Sequence, residues 1–126
     1  VKGNVWVEPS GGIVIARFRG EPTETLLKET QERVLVLLQD TTRRKVLYDA
    51  LEMEPPTVEL TLTQQQLSEE IHKMGVRVAI LVPNSRMAYL SRLAFGAGNY
   101  RVFYNDLGQA ISWLSADNQG TGNGPP

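Results

Sequence analysis

Val46, Leu47 and Tyr48, entered through Arg43, Arg44 and Lys45 and closed by Asp49 and Ala50, lie between two segments of helical periodicity. A run this short and apolar reads as a strand buried on both faces of a parallel sheet. Residues 77–82, Arg-Val-Ala-Ile-Leu-Val stopped by Pro83, repeat the pattern after the second helical segment. Two such strands joined through a helix leave an α/β architecture as the consistent solution. Ligands of open α/β sheets sit at the C-terminal ends of the parallel strands, so Asp49 and the loop after it are the first place to look for function.

The remaining segments fit around these strands. Val5 and Val7 alternate with Trp6, Pro9, Ser10, Gly11 and Gly12 turn the chain, and residues 13–19 alternate again, a hairpin signature. Ile13, Ile15 and Arg17 share one face of the second strand and Val14, Ala16 and Phe18 the other, which places it between a sheet centre and an edge. Gly20 breaks that strand, and Pro22 with flanking acids starts a helix carrying Leu26, Leu27, Thr30, Val34, Leu37 and Leu38 inward. After the central strand, residues 51–56 read as a loop because Pro55 and Pro56 forbid either element. Residues 57–63 alternate ambiguously, and Thr63 with Gln66 offers a capping box for a second helix that Gly75 stops. Asn84 or Ser85 caps a third helix with Met87, Leu90, Leu93 and Ala94 inward. Residues 100–104 form a last strand, and Ala110, Ile111, Trp113 and Leu114 line a closing helix. The expectation is a hairpin leading into a mostly parallel, progressively wound sheet of about five strands with about four helices.

With 41% apolar residues in 126, residues 1–116 suffice for one core, while the polar Gly- and Pro-rich stretch 117–126 is expected to be a disordered tail. A net charge of -1 argues against nonspecific nucleic-acid binding, and the absence of Cys excludes disulfides, thiolate nucleophiles and Cys-ligated metals. No apolar run is long enough to span a membrane and no secretory pattern opens the chain, so the cytoplasm is the expected location.

The element order, the strand Val46-Leu47-Tyr48-Asp49, the run Val78-Ala79-Ile80-Leu81-Val82 and the close from Arg101 through Trp113 and Leu114 resemble the SpoIIAA-like group within the STAS and Sec14-like domains. The resemblance covers residues 4–115 and implies a non-enzymatic role for many relatives, binding an anti-sigma factor kinase or serving as a regulatory module. Relatives that act as phosphorylated switches carry Ser or Thr just after the acid ending the third strand, at the start of the next helix. Here Ala50, Leu51 and Glu52 follow Asp49 and no hydroxyl precedes Thr57, so the chain lacks the usual phosphoacceptor unless a helix begins beside Thr57.

Other constellations have bland readings. Asp49, Glu52, Glu54 and Glu59 have Pro55 and Pro56 where a calcium loop has Gly, and read as a solvated loop. His72 has no second ligand at metal spacing. Gly96, Ala97 and Gly98 follow a helix rather than open one, and read as a helix stop rather than a phosphate loop. What survives is a crevice at the strand ends holding Asp49, Ala50, Asn84, Ser85, Arg86 and Asn105, where Arg86 is placed to pair with Asp49. No catalytic residue, metal or cofactor is assigned; an enzyme requires Tyr48, Asp49 and Arg86 to converge. The leading expectation is a non-catalytic regulatory or protein-interaction domain, homodimeric because both faces of the central strands need cover, with the first or last helix or an apolar ligand as the other candidates for that cover. The alternative is a small carrier or sensor of an apolar or amphipathic molecule, as Sec14-like relatives imply, with an apolar cavity beside the sheet.

Overall fold

The computed structural model describes residues 3–40, 42–96 and 98–116. The expected tail, 117–126, lies outside the described residues. The elements follow in the order β1 (Asn4–Ser10), β2 (Ile13–Gly20), α1 (Glu24–Leu38), β3 (Lys45–Met53), α2 (Val58–Lys73), β4 (Arg77–Val82), α3 (Ser85–Phe95), β5 (Tyr100–Tyr104) and α4 (Leu107–Ser115). Strands lie in sequence order, β1 antiparallel to β2 and every later pair parallel. The sheet is therefore mixed, and the fold is α/β as its apolar runs require.

Each helical crossover moves the chain one strand further in one direction. A constant right-handed connection then puts α1, α2 and α3 on one face. The larger core bears this out: Val14, Val46, Tyr48 and Ile80 of the sheet are buried with Leu27 and Val34 of α1, Ile71 of α2 and Met87 of α3. Helix α4 joins no two strands and is free to take the other face. There Ala110 and Leu114 bury Leu47, Ala79, Leu81 and Phe103. The second face of β3 to β5 is thus covered by the chain's own last helix, and the reason for expecting a second copy is confined to β1 and β2.

Three sequence expectations are corrected. Strand β3 does not stop at Ala50 but runs to Met53, because Glu52 and Met53 pair with Arg19 and Gly20 beyond a register shift in β2. Helix α2 does not start near Thr63. Thr57 is its N-cap, the hydroxyl accepting from the Leu60 amide at 3.1 Å, with Pro55 and Pro56 just ahead. The expected condition for a hydroxyl at the start of this helix is therefore met. Leu93, expected inward, is exposed on α3, and Ala88, Ser91 and Phe95 are buried instead.

Candidate functional site

The strand-end crevice is only partly assembled. The extension of β3 takes Asp49 out of the loop and into the ladder, opposite Arg17 on one side and Leu81 on the other. Its Oδ2 is 3.3 Å from Nε of Arg17, and its Oδ1 accepts from the Leu51 amide at 3.1 Å. Arg17, not Arg86, is the partner of Asp49; Arg86 is exposed and makes no ion pair among the described residues. Asn84 and Asn105 do come to neighbouring strand ends. Asn84 caps α3, its Oδ1 accepting from the Met87 amide at 2.9 Å, and the Asn105 amide donates to the Val82 carbonyl at 2.8 Å. Ser85 is the exposed first residue of α3. These bonds close the loops that follow β4 and β5.

Tyr48 and Asp49 are neighbours on one strand, so their side chains leave opposite faces of the sheet. Tyr48 lies in the core beneath α1 to α3, whereas Leu47, next to it, lies in the core beneath α4. The convergence of Tyr48, Asp49 and Arg86 that an enzyme reading requires is not formed. Among the described residues no three of His, Cys, Asp and Glu gather as metal ligands do. Arg19 is taken by Glu52 at 2.9 Å and Arg43 by Asp40 at 3.2 Å. His72 places Nε2 2.6 Å from the Phe95 carbonyl, leaving Nδ1 buried and without a partner among the described residues.

The concave feature of the fold lies elsewhere. Helix α2 lies closest to α3 and α1 and reaches the sheet core through Ile71. Beneath its first two turns is a pocket of about 60 Å³ whose floor is Tyr48, Ala50 and Ile80. Met87, Leu90 and Phe95 of α3 form one wall and Leu60, Thr61 and Gln64 of α2 another. Half-buried Met53, Pro56, Leu60 and Leu90 mark its open side. No charged side chain lines it. Ala50 alone of the crevice residues belongs to it. The sequence carries one sign of the pocket, the small hydroxyl residues Thr61 and Ser91 on inner helix faces where larger apolar side chains usually pack.

The Tyr48 ring is buried, stacked on Phe18 at 6.2 Å and tilted against Phe95 at 5.2 Å between centroids. Its hydroxyl has no hydrogen-bond partner among the described residues, and burial alone pushes its pKa well above the ordinary phenol value. A phenolate there is strongly disfavoured, so the group is a neutral donor at any physiological pH.

No family model matches the chain, and no curated protein matches it in sequence. Solved structures do. A Shewanella loihica protein with a SpoIIAA-like fold is 20% identical, with a TM-score of 0.64 over 89% of this chain and 93% of that one. An anti-sigma factor antagonist from Mycobacterium paratuberculosis is 14% identical, with a TM-score of 0.67 over 91% and 96%. The anti-sigma factor antagonist SpoIIAA in its unphosphorylated form is 12% identical, with a TM-score of 0.67 over 90% and 99%. The chain has the SpoIIAA-like fold. SpoIIAA, a Bacillus cell-fate determinant, also matches in its phosphorylated form, with 12% identity and a TM-score of 0.60 over 87% and 98%. The expected SpoIIAA-like architecture is thereby found over 87–91% of this chain.

Proposed function

We propose that the chain is a non-catalytic regulatory or protein-interaction domain that engages a protein partner across the start of α2 and the adjoining face of α3. The observation that carries this reading is the exposed apolar pair Val58 and Leu62, one turn apart on α2, beside the N-cap hydroxyl of Thr57. Tyr89 and Leu93 repeat the arrangement on α3, the helix against which α2 packs. Exposed large apolar residues grouped on adjoining helices favour a partner surface. That SpoIIAA has a phosphorylated form, together with the position of Thr57 at the start of α2, supports Thr57 as the hydroxyl available to a kinase in this chain. A phosphate there meets the helix N-terminus but also Glu59 in the first turn, so it adds negative charge to an acidic corner and weakens docking of an acidic partner.

The proposed location is the cytoplasm; among the described residues no helix is long and apolar enough to cross a membrane. A photo-crosslinking residue placed at position 62 in the producing cells is expected to give a discrete protein adduct, and one at exposed Val36 on α1 is expected to give none. An unmarked band at position 62 removes the reading. A second copy is the partner favoured on the other side, where exposed Trp6 lies opposite Arg17 and Ile13 and Ile15, at the margin of the α4 core, are left half-buried. Sedimentation at micromolar concentration showing only monomer removes that partner.

The apolar pocket beneath α2 favours a second reading, a sensor or carrier of an apolar or amphipathic ligand. Sixteen residues line the pocket and none is charged, the composition expected of a small-molecule site. Its volume of about 60 Å³ is less than half of a cavity that admits benzene, about 150 Å³, so it does not hold a whole lipid.

A further inference from the structure

We propose that the pocket beneath α2 binds a small neutral molecule, or the slim neutral end of a longer one, whose carbonyl or hydroxyl oxygen accepts a hydrogen bond from the Tyr48 hydroxyl. The proposal deepens the ligand-binding reading above and rests on it. Buried polar groups are almost always paired, because an unpaired one forfeits its hydration for nothing. Tyr48 is only 4% exposed and lines the pocket, and its hydroxyl, which makes no hydrogen bond to a described residue, is not one of the polar atoms sealed from solvent. Its acceptor is therefore whatever enters the pocket, a water or the oxygen of a ligand that displaces it.

The lining sets the chemistry of that molecule. A carboxylate or ammonium inside would be a buried charge without a counter-ion, since the lining carries none. The helices contribute lone pairs: Thr61 Oγ1 already donates to the Thr57 carbonyl at 2.9 Å, and the Gln64 amide nitrogen donates to Ser68 at 2.9 Å, which leaves oxygen atoms to accept. A hydroxyl on the ligand satisfies both sides, accepting from Tyr48 and donating towards α2. The rest of the molecule meets Ile80, Met87 and Phe95 and is apolar. The volume of about 60 Å³ limits the enclosed part to a few carbons.

The test uses the whole chain, labelled for amide NMR, with xenon, 2-butanone and sodium butyrate as probes. Saturable shifts of Tyr48, Ile80 and Phe95 amides with 2-butanone are expected, with no response to butyrate. Tyr48→Phe keeps the ring and is expected to weaken 2-butanone about tenfold, the factor that one net hydrogen bond supplies. Xenon, which needs only an apolar cavity, is expected to shift the same amides equally in both proteins. Equal ketone affinity in the variant overturns the Tyr48 anchor and leaves the apolar pocket standing. Xenon binding without ketone binding means that a resident water answers Tyr48, and overturns the proposal likewise. Loss of the xenon response in Tyr48→Phe shows that the hydroxyl holds the pocket open rather than a ligand, which also overturns it. No response of the unaltered protein to either probe removes the ligand-binding reading itself.

Discussion

Arg77 lies over the indole of Trp113, its guanidinium carbon 4.4 Å from the ring centroid, while Nη1 donates to the Trp113 carbonyl at 2.7 Å. The same nitrogen reaches the Ala116 carbonyl at 3.3 Å, so the first residue of β4 clamps the end of α4. That helix has no basic residue in its last turn, and Arg77 supplies the missing cation from outside.

Arg77→Ala is expected to lower stability by about 2 kcal/mol, because a charged hydrogen bond and a cation–π interaction disappear together. Arg77→Lys, which keeps the charge without the planar fork, recovers only part of it. Chemical denaturation read by Trp113 emission checks both; Trp6 is 56% exposed, so its emission changes little on unfolding. A variant of unchanged midpoint would show that Ala110 and Leu114 alone hold α4.

Gly98 faces the imidazole of His72, and a β-carbon at position 98 would overlap the ring itself. The carbonyl of Phe95 can only accept, so His72 Nε2 carries the proton and the ring cannot turn away without losing that bond. Gly98→Ala is expected to cost about 1–3 kcal/mol, and markedly less when His72 is already Ala. A double-mutant cycle by urea denaturation reads the coupling; additive costs would mean that the ring moves aside freely.

Much of this fold can be read in the residues, and what escapes such a reading has a common physical cause. Strands β2 and β4, the cap Asn84 and the inner face of α4 all follow from local pattern. The end of β3, Leu51 to Met53, does not, because what holds those residues is pairing with Arg19 and Gly20, some thirty positions away. The start of α2 is hidden because Val58, Leu60 and Leu62 alternate like a strand, yet Val58 and Leu62 are exposed and only Leu60 is half-buried. Local pattern places a crevice where loops follow strands, whereas the pocket arises from how residues of three strands and three helices meet, a distance in space rather than in sequence. No window of sequence contains that distance.

Thr57→Ala is expected to lower stability by about 1 kcal/mol and to fray the first turn of α2, since the Leu60 amide loses its acceptor. Thr57→Ser retains the cap and should restore both. Amide exchange at Leu60 and Thr61 checks this residue by residue; exchange unchanged in Thr57→Ala would show that the turn is held by Thr61 and Leu60 packing alone.

Tyr48 makes stability fall in alkali in a way that one substitution removes. Its pKa in the folded chain is raised above the ordinary 10.0 by burial, while the unfolded chain releases its proton near that ordinary value. The stabilisation is complete below pH 10 and is lost as pH rises from there towards the folded pKa, because the unfolded state then binds fewer protons than the native one. At one pH unit above the unfolded pKa the loss is about 1.4 kcal/mol. Tyr48→Phe has no proton to lose and is expected to show a correspondingly flatter stability profile between pH 9 and 11, measured by urea denaturation against the unaltered chain. At neutral pH the variant should be as stable as the parent or slightly more so, since the hydroxyl it deletes makes no hydrogen bond to a described residue. A substantial loss at neutral pH would mean that the hydroxyl is answered inside the pocket, and parallel alkaline profiles would mean that Tyr48 titrates as freely in the native chain as in the unfolded one.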